Sequence, residues 1–315
     1  MLIYTRIKMS GKIVVSGGTG LIGSTLIKEL TAMKYDVVIV TRNPKKAKTS
    51  FPEISDLVKW EPQNPEDLAN YIEGSKAVIN LSGAPVFAKW KGNYSIQVKD
   101  SRVLGTRYIV ESIKKTKNKP GCLINGSATG IYGYGKSFRG VNDESGKPSG
   151  DFWGSLVHDW ENEAILAENE GVRTVLLRTS LVLEKDKGAL EALVPYFMKG
   201  LGGYVMPGKQ IFSWIHIKDE IGVIVKAIEN SSFHGPVNLV AGNETSKEFS
   251  RKLGKVLHKR SGLPIPQFVI KRMFGKASDL VTGGSYVESM RMNELGYKPV
   301  FKDFESAISD LYRPI

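Results

Sequence analysis

Along the first half of the chain, short apolar runs are separated by stretches with helical spacing. The runs Lys12–Ser16, Asp36–Val40, Val58–Trp60, Ala77–Leu81, Leu123–Asn125 and Thr174–Leu177 have the length and near-continuous apolarity of strands buried on both faces. Between them, Leu26, Leu30 and Met33, and then Thr106, Ile109, Val110 and Ile113, recur at three- and four-residue steps and so share one face of a helix. Strand alternating with helix predicts an α/β fold with a doubly wound parallel Rossmann sheet. Its connections are right-handed crossovers, and ligands lie beyond the carboxyl ends of the strands.

After Leu183 the pattern changes. The stretch from Lys185 to Lys209 is mixed and rich in glycine. Phe212–Ile217 reads as a strand, half-buried because Trp214 and His216 alternate with Ser213, Ile215 and Ile217. It leads into a helix, Asp219–Glu229, with Asp219 placed to cap it. Pro236–Val240 reads as another strand. Helical stretches begin at Thr245, break at Pro264–Pro266 and end with Asp303–Tyr312. The expected division is a Rossmann domain over 1–183, to which 211–241 returns, and a smaller C-terminal α/β lobe over 184–315 that carries the substrate side.

The segment joining the first strand to the first helix carries the most specific chemistry. Glycines stand at 17, 20 and 23 in Gly17-Gly18-Thr19-Gly20-Leu21-Ile22-Gly23. Glycines permit the tight turn and a close approach of backbone to a diphosphate, and the helix N-terminus offers free N–H groups and its positive dipole end. The spacing also occurs in nucleotide-free turns, but the strand before it and the helix after it favour a dinucleotide. The candidate contacts are Gly17, Thr19, Gly20, Leu21, Ile22 and Gly23. The second strand runs into Thr41-Arg42-Asn43-Pro44-Lys45-Lys46, where an NAD binder would carry an acid for the ribose hydroxyls. A guanidinium there grips a phosphate, so Thr41 and Arg42 point to NADP(H) rather than NAD(H). Lys45 and Lys46 read as surface charge.

Composition narrows the alternatives. The chain has 315 residues, 41% hydrophobic and 24% charged, an ordinary globular balance. No apolar stretch has the length of a membrane span. Residues 1–10 lack the apolar core of a signal peptide, so a cytoplasmic protein is expected. Met9-Ser10-Gly11-Lys12 is a natural start for such a chain, and residues 1–8 read as either an upstream extension or a frayed arm. The net charge of +12 is not arranged as basic runs interleaved with aromatics, so nucleic acid is not the expected ligand. The single cysteine, Cys122, lies in an apolar run and reads as a buried thiol. His158, His216, His234 and His258 do not pair at metal-ligand spacing, so no metal is expected. His216 reads as a hydrogen-bonded structural histidine.

Several stretches together resemble the extended short-chain dehydrogenase/reductases. Within these, the chain is most similar to the atypical epimerase-family proteins described as cell-division-inhibitor-like, which carry a C-terminal domain of unknown function. The stretches are the glycine turn, Val40-Thr41-Arg42, Ile79-Asn80-Leu81-Ser82-Gly83, Ser101-Arg102, Gly126-Ser127-Ala128-Thr129-Gly130-Ile131-Tyr132-Gly133, Trp160-Glu161, Leu177-Arg178-Thr179, Gly208 to Asp219, and Asn238-Leu239-Val240. The resemblance spans about Lys12 to Leu311. It implies that Leu81, Ser82 and Gly83 pass beside the cofactor. It places Arg102 near the cofactor, with a surface ion pair as the alternative. It puts Ser127 where the family keeps its catalytic serine, with a turn-capping serine as the alternative. It implies a small carbonyl or alcohol substrate, a nucleotide sugar among the candidates. A homodimer is an expectation by analogy alone.

One departure is decisive for the chemistry. The family uses a Tyr-x-x-x-Lys pair about 25 residues after its serine, the lysine lowering the tyrosine pKa so that the phenol can exchange the alcohol proton. Phe152 and Leu156 stand at those places. Three readings stay open. A substitute acid acts, with Tyr132 the leading candidate and Glu144, His158 and Asp159 behind it. Or hydride transfer proceeds with the proton drawn from water or substrate. Or the protein binds NADP(H) without chemistry, as a regulatory or partner-binding module. Trp160 and Glu161 read as packing and surface, and Asp143-Glu144 as a solvated pair.

Overall fold

The computed structural model describes residues 11–59, 64–88, 90–134 and 140–312. The expectations for residues 1–8 and for Trp60 therefore lie outside the described residues. The first half runs β1 (Lys12–Ser16), α1 (Leu21–Ala32), β2 (Asp36–Thr41), α2 (Pro44–Ser50), β3 (Leu57–Lys59), α3 (Pro65–Ile72), β4 (Ala77–Asn80), α4 (Tyr94–Lys115), β5 (Cys122–Ala128), β6 (Val141–Asn142), α5 (Phe152–Ile165) and β7 (Arg173–Thr179). Each of the six predicted strands is present. The sheet order is β3-β2-β1-β4-β5-β7 with one more strand, β11 (Gly235–Leu239), beside β7, and every pairing is parallel. The chain winds one way from β1 to β3 and the other way from β4 onward. The switch point is thus the crevice outside β1 and β4, where a ligand is expected.

Alternate residues of each strand serve opposite faces of this sheet, which is why the strands read as unbroken apolar runs. Ile13, Val15, Ile39, Ile79, Ile124, Leu177 and Leu239 pack against Leu26, Ile27 and Leu30 of α1 and against α7 (Ile217–Glu229). Val14, Val38, Val78, Leu123 and Leu176 pack against Leu68 and Ile72 of α3 and Ile109, Val110 and Ile113 of α4.

After β7 come β8 (Leu181–Leu183), α6 (Gly188–Met198), β9 (Gly203–Val205) and β10 (Ile211–His216). Beyond β11 follow β12 (Gly242–Thr245), α8 (Ser246–Val256), β13 (Leu263–Ile265), α9 (Gln267–Phe274), α10 (Asp279–Thr282), β14 (Tyr286–Val287), α11 (Met290–Glu294) and α12 (Phe304–Tyr312). A second sheet, β12-β10-β8, covers its own core of Leu190, Trp214, Phe249, Leu253, Phe304 and Ile308. Of the stretch 211–241, β11 joins the large sheet while β10 belongs to the second. Trp214, Ile215 and His216 are all fully buried. From Ser213 to His216, β10 is therefore buried on both faces rather than half-buried, with Ile215 packed with α7 and Trp214 against Phe304 of α12. The Pro264–Pro266 break carries β13, a short partner of β9. Two-stranded pairing of β6 with β14 ties the end of the chain back to the first half.

Candidate functional site

The β1–α1 turn is shaped for close approach. Gly17 has a φ of +80°, a conformation that favours glycine, and a Cβ there would stand 2.5 Å from the Leu81 carbonyl carbon. A Cβ on Gly23 would stand 2.4 Å from the Gly17 oxygen. The turn and the loop after β4 are thus in direct contact, and the Leu81 N–H donates to the Ser16 carbonyl. Gly20 caps α1 without a side-chain hydrogen bond, and no acid stands in the first turn. Backbone donors at this end are left for an anion. At the end of β2, Thr41 Oγ1 accepts from the Asn43 N–H, and Asn43 caps α2 through the Lys46 N–H. Arg42 is exposed, and among the described residues no hydrogen bond or ion pair engages its guanidinium. Ser82 Oγ donates to Asn80 Oδ1 at 2.7 Å.

Among the described residues Arg102 forms no surface ion pair, the alternative held open for it. Its Nη1 donates to the carbonyls of Ala84 and Val98, and its guanidinium lies over the Trp160 ring. A Cβ on Gly83 would meet the guanidinium carbon at 2.9 Å. Burial without a carboxylate brings its pKa down to about 10. Arg102 therefore braces the loop 82–84 from below.

Beneath the other end of the edge lies a buried polar network. Ser127 of β5 stands in register with Arg178 of β7, which stands in register with Asn238 of β11. Arg178 makes a two-pronged pair with Glu161 of α5, Nε to Oε1 and Nη2 to Oε2, both 2.9 Å. Ser127 Oγ donates to the same Glu161 Oε1 at 2.5 Å. Tyr132 accepts from Arg178 Nη1 at 2.9 Å and donates to Asn238 Oδ1 at 2.8 Å. Glu161 is 4% exposed, so its reading as a surface residue is corrected: the helix turns it inward because a guanidinium waits there. Burial pushes the Tyr132 phenol up, against the pull of Arg178. The structure thus brings Ser127 and Tyr132 together through Arg178 and Glu161, and it commits both hydroxyls to that network.

Helix α5 runs Phe-Trp-Gly-Ser-Leu-Val-His-Asp-Trp-Glu-Asn-Glu-Ala-Ile and holds neither tyrosine nor lysine. Its first turn instead joins an aromatic cluster of Trp90, Phe152, Trp153 and Tyr134, with ring centroids 5.3 to 6.0 Å apart. Asp151 caps this helix through the Gly154 N–H. His158 and Asp159, two of the weaker substitutes, are engaged at the surface of α5, His158 with Asn162 and Asp159 with Lys99. Glu144, part-exposed, is not merely solvated. Its carboxylate accepts from the N–H groups of Asn238, Met290 and Arg291 and from Ser289 Oγ, which fastens α11 to the edge of the large sheet.

Two further buried groups, Asp219 and Glu220, were misplaced or missed by the sequence, while His216 and Cys122 are buried as expected. Asp219 does not cap α7; His216 does, its Nδ1 accepting from the Lys218 N–H. Asp219 is fully buried and accepts from Tyr297 Oη and from the N–H groups of Val300 and Phe301. Burial brings the His216 pKa down to about 4, keeping the ring neutral. Glu220 accepts from Thr179 Oγ1 at 2.7 Å at the end of β7, its Oε2 has no partner among the described residues, and burial pushes its pKa up to about 8. Cys122 is buried, and its thiol is pushed up by that burial. Among the described residues no cluster of His, Cys, Asp and Glu could hold a metal ion, and no helix is long and apolar enough to cross a membrane.

With this geometry in place, the relatives become informative. Residues 13–241 match the NAD dependent epimerase/dehydratase family. The chain belongs to that family. Residues 265–311 match a second family, a domain of unknown function known as DUF1731. The epimerase family protein SDR39U1 homologue of Arabidopsis thaliana, described as chloroplastic, is 33% identical over 93% of this chain and 84% of its own length. The epimerase family protein YfhF of Bacillus subtilis is 33% identical over 95% of this chain and 97% of its own. The crystal structure of human epimerase family protein SDR39U1, isoform 2, with NADPH superposes with a TM-score of 0.85 at 27% identity, over 96% of this chain and 100% of that one. These findings place the chain among the extended short-chain epimerase-family proteins with a DUF1731 C-terminal part, as the sequence resemblance implied.

Proposed function

We propose that this epimerase-family chain binds NADP(H) across the carboxyl edge of β1, β2 and β4 and acts as an oxidoreductase or epimerase-like enzyme on a small carbonyl or alcohol. The observation that carries the cofactor is the pairing of a glycine turn, packed so tightly that a Cβ at Gly17 or Gly23 would strike backbone, with the guanidinium of Arg42, which has no partner among the described residues. Gly17, Thr19, Gly20, Leu21, Ile22 and Gly23 hold the diphosphate side. Thr41 and Arg42 hold the 2′-phosphate. Leu81, Ser82 and Gly83 line the adjacent loop, with Arg102 supporting them. The NADPH in the human SDR39U1 crystal structure supports the same choice. When bound, the nicotinamide supplies hydride transfer.

For the chain's own residues, Ser127 is the candidate for orienting a substrate oxygen, at the end of β5 and as an acceptor from a substrate hydroxyl, since its own proton goes to Glu161. Tyr132 is poorly placed as a proton donor in this arrangement, since both hydrogen-bonding directions of its phenol are used inside the fold and its pKa is raised. The proton then comes from water or from the substrate itself. A second reading, an NADP(H)-responsive protein without chemistry, is favoured by one observation: α5 presents an aromatic cluster where the family keeps its proton-exchange pair.

Titration with NADPH and NADH tests the cofactor. The wild type should bind NADPH more tightly. Arg42→Asp should weaken NADPH about ten- to a hundredfold, the loss of one charge-assisted phosphate contact, and leave NADH within about threefold. Equal losses for the two nucleotides, or none, contradict the assignment. Screening carbonyl compounds for NADPH oxidation then separates the enzyme from the silent binder.

A further inference from the structure

The loop after β8 reaches back across the molecule to the first turn of α1. Lys187 Nζ donates to Ser24 Oγ at 2.6 Å and to the Gly20 carbonyl at 3.3 Å. The next residue, Gly188, has a φ of +72°, and a Cβ there would stand 2.6 Å from Leu21 Cδ1, so the loop lies directly on that turn. Lys187 forms no ion pair among the described residues, although Glu184 and Glu191 flank its loop. Burial, aided by repulsion from Lys28 and Lys46 and opposed by those two glutamates, holds its ammonium below the usual lysine range. A part-exposed ammonium with no carboxylate on it among the described residues, set beside a helix start that has no acid in its first turn, adds positive charge where that start would hold an anion.

We infer that Lys187, supplied by the second half of the chain, is a diphosphate-binding residue that closes over the α1 turn when the dinucleotide is bound. The inference rests on the cofactor reading above and deepens it. The glycine turn gives uncharged donors only, and Arg42 lies at the end of β2. Lys187 is the side-chain cation found at the helix start itself. An ammonium has three donors, and two are used here, which leaves one for a phosphate oxygen. The role differs from that of Arg42: a diphosphate is common to NADPH and NADH, whereas the 2′-phosphate is not.

The test is a four-protein titration followed by protein fluorescence: wild type, Lys187→Met, Lys187→Gln and Lys185→Met, each against NADPH and NADH. Lys187→Gln can keep hydrogen bonds to Gly20 and Ser24 while removing the charge, so it guards against a mere folding defect. Both Lys187 variants should weaken NADPH and NADH alike, by about tenfold, with the gap from wild type narrowing as salt is raised. Lys185→Met, an exposed neighbour, should stay within about twofold. A loss confined to NADPH overturns the diphosphate assignment. Unchanged affinities in both Lys187 variants, including a case where only the melting temperature falls, overturn it as well and leave the cofactor reading standing. A wild type that binds neither nucleotide overturns both.

Discussion

At the β1–α1 turn the backbone donors of the helix start, and at the end of β2 the Arg42 guanidinium, have no partner among the described residues. Around α5, the serine, glutamate, arginine and tyrosine of the equivalent depth are all bonded to one another. The first arrangement leaves polar groups free for a ligand. The second satisfies its own groups and closes with an aromatic cluster. Buried polar groups are expensive unless paired, so the contrast says where a selective load still falls. The cofactor edge is built for something outside the chain, and the α5 side is built mainly for the chain itself.

The strongest way to break the first half of this contrast is Gly23→Val. Its Cβ would stand 2.4 Å from the Gly17 oxygen and 2.8 Å from the Gly18 Cα, and both are backbone that cannot swing aside. The turn must open, and NADPH affinity should fall by at least about a hundredfold, beyond the loss of any single contact. Titration checks this, and circular dichroism at the same temperature shows whether the sheet survives. Affinity retained within about threefold would mean that the turn is not the cradle it looks like.

The second half breaks differently. Glu161→Gln leaves the Arg178 guanidinium, whose side chain is 8% exposed, without its counter-charge. Removing one partner of a buried pair costs about 3–5 kcal/mol. Urea unfolding should show that loss, while dinucleotide affinity of the folded variant stays within about twofold because Glu161 lies off the cofactor edge. A large loss of affinity at unchanged stability would put Glu161 in the binding site and erase the contrast.

What could be read from the sequence follows the same line. The strands, the glycine turn and Arg42 were legible because each is a local pattern: an apolar run, three glycines within seven residues, a cation where an acid is usual. Glu161, Glu144, Asp219 and Lys187 were not. Glu161 sits 17 residues from Arg178, Glu144 meets Arg291 147 residues away, and Lys187 meets Ser24 across 163. Nothing in a helix such as Trp160-Glu161-Asn162-Glu163 marks which glutamate turns inward. The sheet register decides that, by placing Arg178 beside Ser127. Only the Leu177-Arg178-Thr179 stretch gave a signal, an arginine inside an apolar strand, which calls for a buried carboxylate.

The smallest expected effect is also the most discriminating. Tyr132→Phe removes a phenol that accepts from Arg178 and donates to Asn238. Arg178 Nη1 keeps the Glu144 carbonyl at 3.2 Å, and Asn238 keeps its donor contact to the Glu288 carbonyl, so the network loses one link and retains its charges paired. A structural tyrosine predicts a stability loss of about 1 kcal/mol and turnover, once a substrate is found, within about threefold of wild type. A proton-donating tyrosine predicts the reverse, a fall of about a hundredfold or more in turnover with little change in stability. Measuring unfolding and turnover on the same preparation separates the two, because no single cause moves only one of them in both directions. The first result would mean that this family member has traded its proton-exchange groups for internal packing while keeping the cofactor edge.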